Sequence, residues 1–352
     1  MALETQVEIK PQRPWQSTPR ELAPTFYLLV ASVIASWAIV AVTPMKGKLA
    51  YAFLFFVFGT ASLSINKGRK LGRAAAVDSI ASSVAMTGAF LVFLPVASIL
   101  FTTIQKGVAG LHWSLFTQTM FTASYSDPIS KGGLLHALVG TLYLIFISVV
   151  VSVPMGILTA LYLTEIKGPG ANFIQFIVQA MSGVPSVVAG LFIFASLIVA
   201  TPIKASAIAG ALALSILMIP TVTRTAQEVL LLVPMDLREA GQALGATQWR
   251  TVATIVVPAA RNGLITATIL GVARIAGETA PLLFTIGGSD KLNWNPFKDY
   301  QGALPFYVWK GLLLGTPESI QRAWTGILVL LILVLVLFIL ARTLGGRKMK
   351  SK

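Results

Sequence analysis

The chain has 352 residues, of which 55% are hydrophobic and only 11% charged. Water-soluble domains carry about 25% charge, so a soluble protein is excluded and an all-α integral membrane protein is expected. A net charge of +14 does not point to nucleic acid, because the basic residues are dispersed among apolar spans without an aromatic RNA-binding string, and the absence of cysteine excludes disulfides and thiolate metal sites.

Residues 1–24 mix Glu4, Glu8 and Glu21 with Lys10, Arg13 and Arg20. They lack the short basic-then-apolar form of a cleaved signal, so a retained cytoplasmic tail is expected. A bilayer span takes about 20 apolar residues. Eight stretches are read as spans: 25–43, 49–65, 77–104, 134–163, 173–200, 205–223, 262–287 and 322–343. The tight connection Lys46-Gly47-Lys48 makes the first two an accessory hairpin, the second short enough for a re-entrant arm. The basic stretch 66–75 separates this unit, 25–75, from a six-span core, 76–345, and 346–352 form a basic tail.

Lys and Arg collect in cytoplasmic loops. Lys67, Arg69, Lys70 and Arg73 form one group, Arg224, Arg238, Arg250 and Arg261 surround the loop 236–258, and Arg342, Arg347, Lys348, Lys350 and Lys352 end the chain. Eight spans place all three groups on one face, so both termini are expected in the cytoplasm. The opposite loops, 105–133 and 288–321, are longer and carry Asp127, Asp290, Asp299 and Glu318.

Within the spans, Gly183-Val184-Pro185-Ser186 followed by Gly190 reads as a kinked helix whose small residues permit close packing. Arg224 and Glu228 follow Pro220 at the cytoplasmic mouth, where a snorkelling anchor or a loop salt bridge is expected.

The loop 236–258 reads as a docking element. Asp236 with Glu239 three positions later has the spacing of a capping box, and Gly245 suits a helix end. Leu237, Ala240, Gly241 and Leu244 recur at i, i+3, i+4 and i+7, which presents a small apolar face and leaves Arg238, Glu239 and Gln242 in water.

Arg274 and Glu278 are predicted near the middle of the span 262–287, one helical turn apart on one face. An intramembrane charge costs about 2.5–3.5 kcal/mol on insertion scales, so each needs a reason. One is a packing ion pair, although Arg before Glu is the poorer order for an isolated pair. The other is a translocation pathway, in which the guanidinium fork meets a tetrahedral oxyanion. The pathway is favoured, and Gly277 and Pro281, like Gly183 and Pro185, are candidate gate or kink positions. His112 and His136 have no metal-ligand spacing, and neither a phosphate-binding Gly-Lys loop nor a nucleophile–base constellation occurs. No metal site, cofactor or enzyme activity is therefore expected of this chain, and any ATP must be used by another protein.

The string EAGQALGATQWRTVATIVVP at 239–258 resembles the EAA loop of ATP-binding-cassette (ABC) importer permeases: EAA, three residues, Gly, nine residues, Ile, one residue, Leu-Pro. The departures are Gly241 for the second Ala and Val257 for Leu. LMIPTVTRTAQEVLLLVP at 217–234, SGVPSVVAGLF at 182–192 and ARIAGETAPLLFT at 273–285 look like the phosphate-specific branch, the last like its PstA type. The resemblance extends over about residues 75–345. It implies a type I permease core of six transmembrane helices in a bacterial inner membrane, with the first two spans as additions. It also implies inorganic phosphate as cargo, a homologous permease subunit of the PstC type, a cytosolic PstB-type ATPase dimer docking on the EAA loop, and an extracytoplasmic PstS-type phosphate-binding protein. Similar proteins have an Arg and a Glu at the positions of Arg274 and Glu278, with roles in phosphate passage. The alternative is an ion-coupled secondary transporter of an oxyanion, which would need no docking helix and should carry inverted repeats.

Overall fold

The computed structural model describes residues 19–43 and 47–345; the expectations for residues 1–18, for Lys46 and for the basic tail lie outside the described residues. Apart from one isolated bridge between Gly287 and Gln301, the described secondary structure is helical. The chain divides into two compact units, Met1–Ile99 and Leu100–Lys352.

The first unit holds α1 (Pro19–Val42), α2 (Lys48–Leu71) and most of α3 (Arg73–Val108). Instead of ending near residue 65, α2 runs for 24 residues, so Arg69 and Lys70 stand on its last turn and not in a loop. Basic charge is favourable at a helix C-terminus. Hydroxyls knit the helices where small side chains allow close approach: Ser32 Oγ lies 3.3 Å from Ser62 Oγ, and Ser64 donates to the Ala76 carbonyl at 3.0 Å.

The second unit contains α4 (Ser114–Thr117), α5 (Leu135–Leu161) with a π-helical turn Tyr162–Ile166, α6 (Ala171–Ser182), α7 (Ser186–Ile193) with a π-helical turn Phe194–Val199, and α8 (Ala207–Leu231). There follow α9 (Met235–Ala243), α10 (Gln248–Thr251) with a π-helical turn Val252–Val256, α11 (Val257–Ala276), α12 (Ala280–Thr285), α13 (Leu304–Leu314) and α14 (Pro317–Gly345). The core is built on α5 and α8. Ser148 donates to the Ala211 carbonyl at 3.0 Å, and Leu144, Leu214, Leu217, Met218, Ile275 and Leu282 close one apolar cluster. Packing replaces water as the reason for this order, since lipid provides little hydrophobic drive between spans.

Three expected spans are redrawn. The stretch 173–200 is not one straight span: α6 and the α7 segment meet at 104°, because the chain turns at Gly183-Val184 and Pro185 takes an extended conformation. The stretch 205–223 continues to Leu231, so Arg224 and Glu228 stand on α8, both exposed and in no ion pair among the described residues. The stretch 262–287 begins earlier and stops at Ala276, and a separate short helix follows with Pro281 in its first turn, where a missing N–H is harmless. Among the described residues, seven helices are long and apolar enough to cross a membrane, or eight if the bent pair counts as one span.

Candidate functional site

Arg274 occupies the last turn of α11, and its side chain is exposed. Beyond it the helix ends at Gly277, the Glu278 amide donates to the Ile275 carbonyl at 3.1 Å, and α12 starts two residues later. The expected shared face is thus corrected: α11 ends at Gly277, between the two charges, and Pro281 lies beyond Glu278 in the first turn of a separate helix, so i,i+4 spacing no longer aligns them. The described residues hold three ion pairs, and neither Arg274 nor Glu278 takes part. A guanidinium with no carboxylate within 4 Å keeps its fork of donors available to an anion.

The two interrupted segments meet. A β-carbon on Gly190 would lie 2.5 Å from the Pro281 α-carbon, so α7 crosses α12 with backbones in contact. The Phe194 and Phe284 rings lie 6.5 Å apart between centroids. Gly183 and Pro185 on one side, and Gly277 and Pro281 on the other, therefore flank a single crossing of two broken helices.

The helix expected for docking forms as α9, with two corrections at its start. Pro234 takes the N-cap position, one place before Met235, and no side chain caps the helix, so the Asp236–Glu239 capping box is absent. Asp236 instead sits in the first turn, where its charge favours the helix dipole. The C-terminal end follows expectation: Gly245 has φ +81°, its amide donates to the Gln242 carbonyl at 2.9 Å, and the Ala246 amide donates to Gly241 at 3.2 Å. This is a Schellman turn, whose left-handed residue favours glycine.

Gly241 leaves the presented face. It is buried, and a β-carbon there would lie 2.8 Å from Ile255 Cδ1, which gives a steric reason for Gly where the EAA pattern has Ala. Leu237, Ala240 and Leu244 stay exposed, Leu244 by 89%, and Leu231, Leu232, Met235 and Trp249 extend the apolar patch. Exposed apolar side chains gathered in one short segment make it a candidate partner site.

Arg238, expected in water, turns inward. Its Nη2 and Nε donate to the two carboxylate oxygens of Glu165 at 2.7 and 3.0 Å, and it also reaches the Leu230 and Val233 carbonyls. The hydrogen bond to Glu165 raises the Arg238 pKa above its ordinary value. Glu165 was not singled out by sequence; the available signal was a lone acid at the end of a long apolar span.

A second cluster was also missed. Asp290 accepts hydrogen bonds from Tyr125 Oη and Lys310 Nζ, each at 3.1 Å, with His136 Nε2 3.6 Å away. Burial raises the Tyr125 pKa, so the phenol stays a donor. Burial pushes Asp290 upward too, but His136 and Lys310 outweigh it and hold the carboxyl below its ordinary 3.8. A depressed folded pKa contributes stability that is present above the unfolded value and lost as pH falls through the folded one. Asp290→Asn should therefore lower the unfolding midpoint in detergent throughout about pH 5–8, and the wild type should lose this contribution only in stronger acid. Identical midpoints for variant and wild type would remove the clamp.

The family model for binding-protein-dependent transport system inner membrane components matches residues 152–350. Phosphate transport system permease protein PstA 1 of Mycobacterium tuberculosis is 36% identical over 262 residues, which cover 73% of this chain and 84% of that protein. PstA of Haemophilus influenzae is 41% identical over 256 residues, 69% of this chain and 85% of that protein. A chain of the inward-facing MetNI methionine ABC transporter aligns at 22% identity with a TM-score of 0.45, covering 61% of this chain and 92% of that one. Helical fold and matched segment together define a multi-pass permease component of an ABC importer, with the type I fold expected from the sequence. Within that class the chain belongs to the PstA family of permeases.

Proposed function

We propose that the chain is the translocation subunit of an ATP-driven importer of inorganic phosphate. The observation that carries this reading is Arg274, exposed and without a carboxylate partner among the described residues, at the break between α11 and α12, in a chain whose relatives are named as phosphate permeases. Phosphate presents oxygens that a guanidinium meets with paired, charge-assisted hydrogen bonds. Backbone groups freed at a helix break suit a wet passage lined by protein. A homologous PstC-type permease would complete the pathway, and a PstS-type binding protein would deliver phosphate from outside.

The patch around Leu237, Ala240 and Leu244 would dock a cytosolic PstB-type ATPase dimer, which hydrolyses the ATP and whose closure would switch the spans between inward-open and outward-open states. An ion-coupled transporter has no use for such a patch. In inside-out or reconstituted vesicles of the full complex, phosphate transport should require ATP and survive collapse of ion gradients; the opposite dependence would install the rival.

Gly245→Asp tests the docking face. Any L-residue is strained at φ +81°, and the carboxylate adds charge beside the apolar patch. Uptake should fall by about tenfold or more with the subunit still in the membrane, since strain and charge together cost roughly 2 kcal/mol or more. Unchanged uptake would reject this helix as the docking site. Orientation has its own check in a cysteine-free chain. An impermeant thiol reagent outside the cell should label Lys298→Cys and spare Gln242→Cys, whereas the reverse pattern would invert the topology and place the termini outside.

A further inference from the structure

We propose that Arg238 and Glu165 form a coupling tie, a positioning pair that passes displacement of the docking helix α9 to α5 and α8 and thence to the helix carrying Arg274. The inference rests on the docking reading given above and identifies the joint through which docking acts.

Arg238 joins three elements at one point. Its fork grips both oxygens of Glu165 in the π-helical turn that ends α5, and its remaining donors take the Leu230 and Val233 carbonyls at the end of α8. Gln248 of α10 donates to the Glu165 backbone carbonyl, which closes the other side of the same turn. The pair is largely withdrawn from solvent, with side-chain exposures of 13% for Arg238 and 6% for Glu165. Burying an ion pair rarely stabilises a fold better than apolar packing of the same volume, whereas it does enforce one geometry. A bidentate fork fixes angle as well as distance, so α9 cannot rotate without turning the end of α5.

From that joint the route onward is close-packed. A β-carbon on Gly156 of α5 would lie 2.8 Å from Val222 Cγ1 of α8, and one on Gly271 of α11 would lie 2.8 Å from Val222 Cγ2. Three helices thus converge on one valine without room for slip, and Arg274 stands three residues beyond Gly271 on α11. Interiors packed at this density pass displacement instead of absorbing it.

The complete transporter, reconstituted in vesicles, gives two readouts: ATP hydrolysed and phosphate moved. Glu165→Gln keeps the shape and the backbone acceptor for Gln248 but removes the charge; Arg238→Lys keeps the charge but removes the fork. Both variants should assemble with the ATPase and hydrolyse ATP within about twofold of wild type, while phosphate moved per ATP falls about fivefold or more. The double variant should be no worse than the poorer single one, because one joint is broken either way. Unchanged phosphate per ATP in both single variants would overturn the tie, as would loss of assembly in both, which would make the pair a scaffold for α9. Gly245→Asp run in parallel separates the two levels. If it leaves assembly and uptake intact, the docking reading fails and takes the tie with it; if it disrupts them while Glu165→Gln stays coupled, only the tie fails.

Discussion

Arg274→Ala should yield a folded, assembled transporter that has lost phosphate uptake by about 100-fold or more, and adding Glu278→Ala should restore nothing. Each hydrogen bond to a charged group contributes about 1.5–3 kcal/mol, so loss of a two-pronged contact removes roughly 3–6 kcal/mol, and every 1.4 kcal/mol is a factor of ten. A packing ion pair would behave differently. Removing its cation would strand Glu278, and the double variant would regain much of the loss. The structure already bears on that rival, because Arg274 and Glu278 stand on opposite sides of a helix break without an ion pair. Arg274→Lys should retain partial uptake, as it keeps charge but not the fork. Uptake normalised to assembled complex decides, and near-normal uptake in the double variant would reduce Arg274 to a packing residue.

Local chemistry was legible in the sequence, and pairings over distance were not. Gly245 ends α9 because a left-handed residue there is a requirement of the next turn alone. The capping box failed on an equally local competitor: Pro234 can begin a helix one residue before Asp236 could cap it. The spacing of Arg274 and Glu278 suggested one face only while the helix was taken as continuous. Gly277 and Pro281, candidate kink positions in the sequence, stand at the end of that helix and at the start of the next. The break at Gly183-Pro185 was visible as a kink, while the contact of Gly190, in the helix that follows it, with Pro281 depends on a helix about 90 residues further along. Arg238 looked wet because amphipathic spacing counts faces of one helix and ignores Glu165, 73 residues earlier. His136 likewise looked solitary until the chain brought Asp290 beside it.

Arg322 is the strongest instance of a distant pairing, and its replacement should unfold the segment 118–134 of the second unit. It is only 1% exposed, and Nη2 donates to the carbonyls of Asp127, Pro128 and Lys131 at 3.1, 2.8 and 2.8 Å. One guanidinium thus satisfies three acceptors in the loop before α5 and pins that loop to α14. Arg322→Met keeps most of the volume and removes every donor. An unsatisfied buried acceptor costs about 1–3 kcal/mol, so three should cost roughly 3 kcal/mol or more even after water relieves part of the loss. Arg322→Lys keeps a cation with three donors on one nitrogen, as Nη2 serves all three carbonyls here, but carries it on a differently shaped side chain that must be repositioned, and should fall between. The measurement is unfolding of the detergent-solubilised chain, together with proteolysis across residues 118–134, which should become rapid in the Met variant. A Met variant within about 1 kcal/mol of wild type and equally resistant to cleavage would mean that the carbonyls find other partners. The contrast with Arg274 makes the test stringent: the buried arginine should control stability and leave transport by the surviving protein nearly intact, whereas the exposed one should abolish transport and leave stability alone.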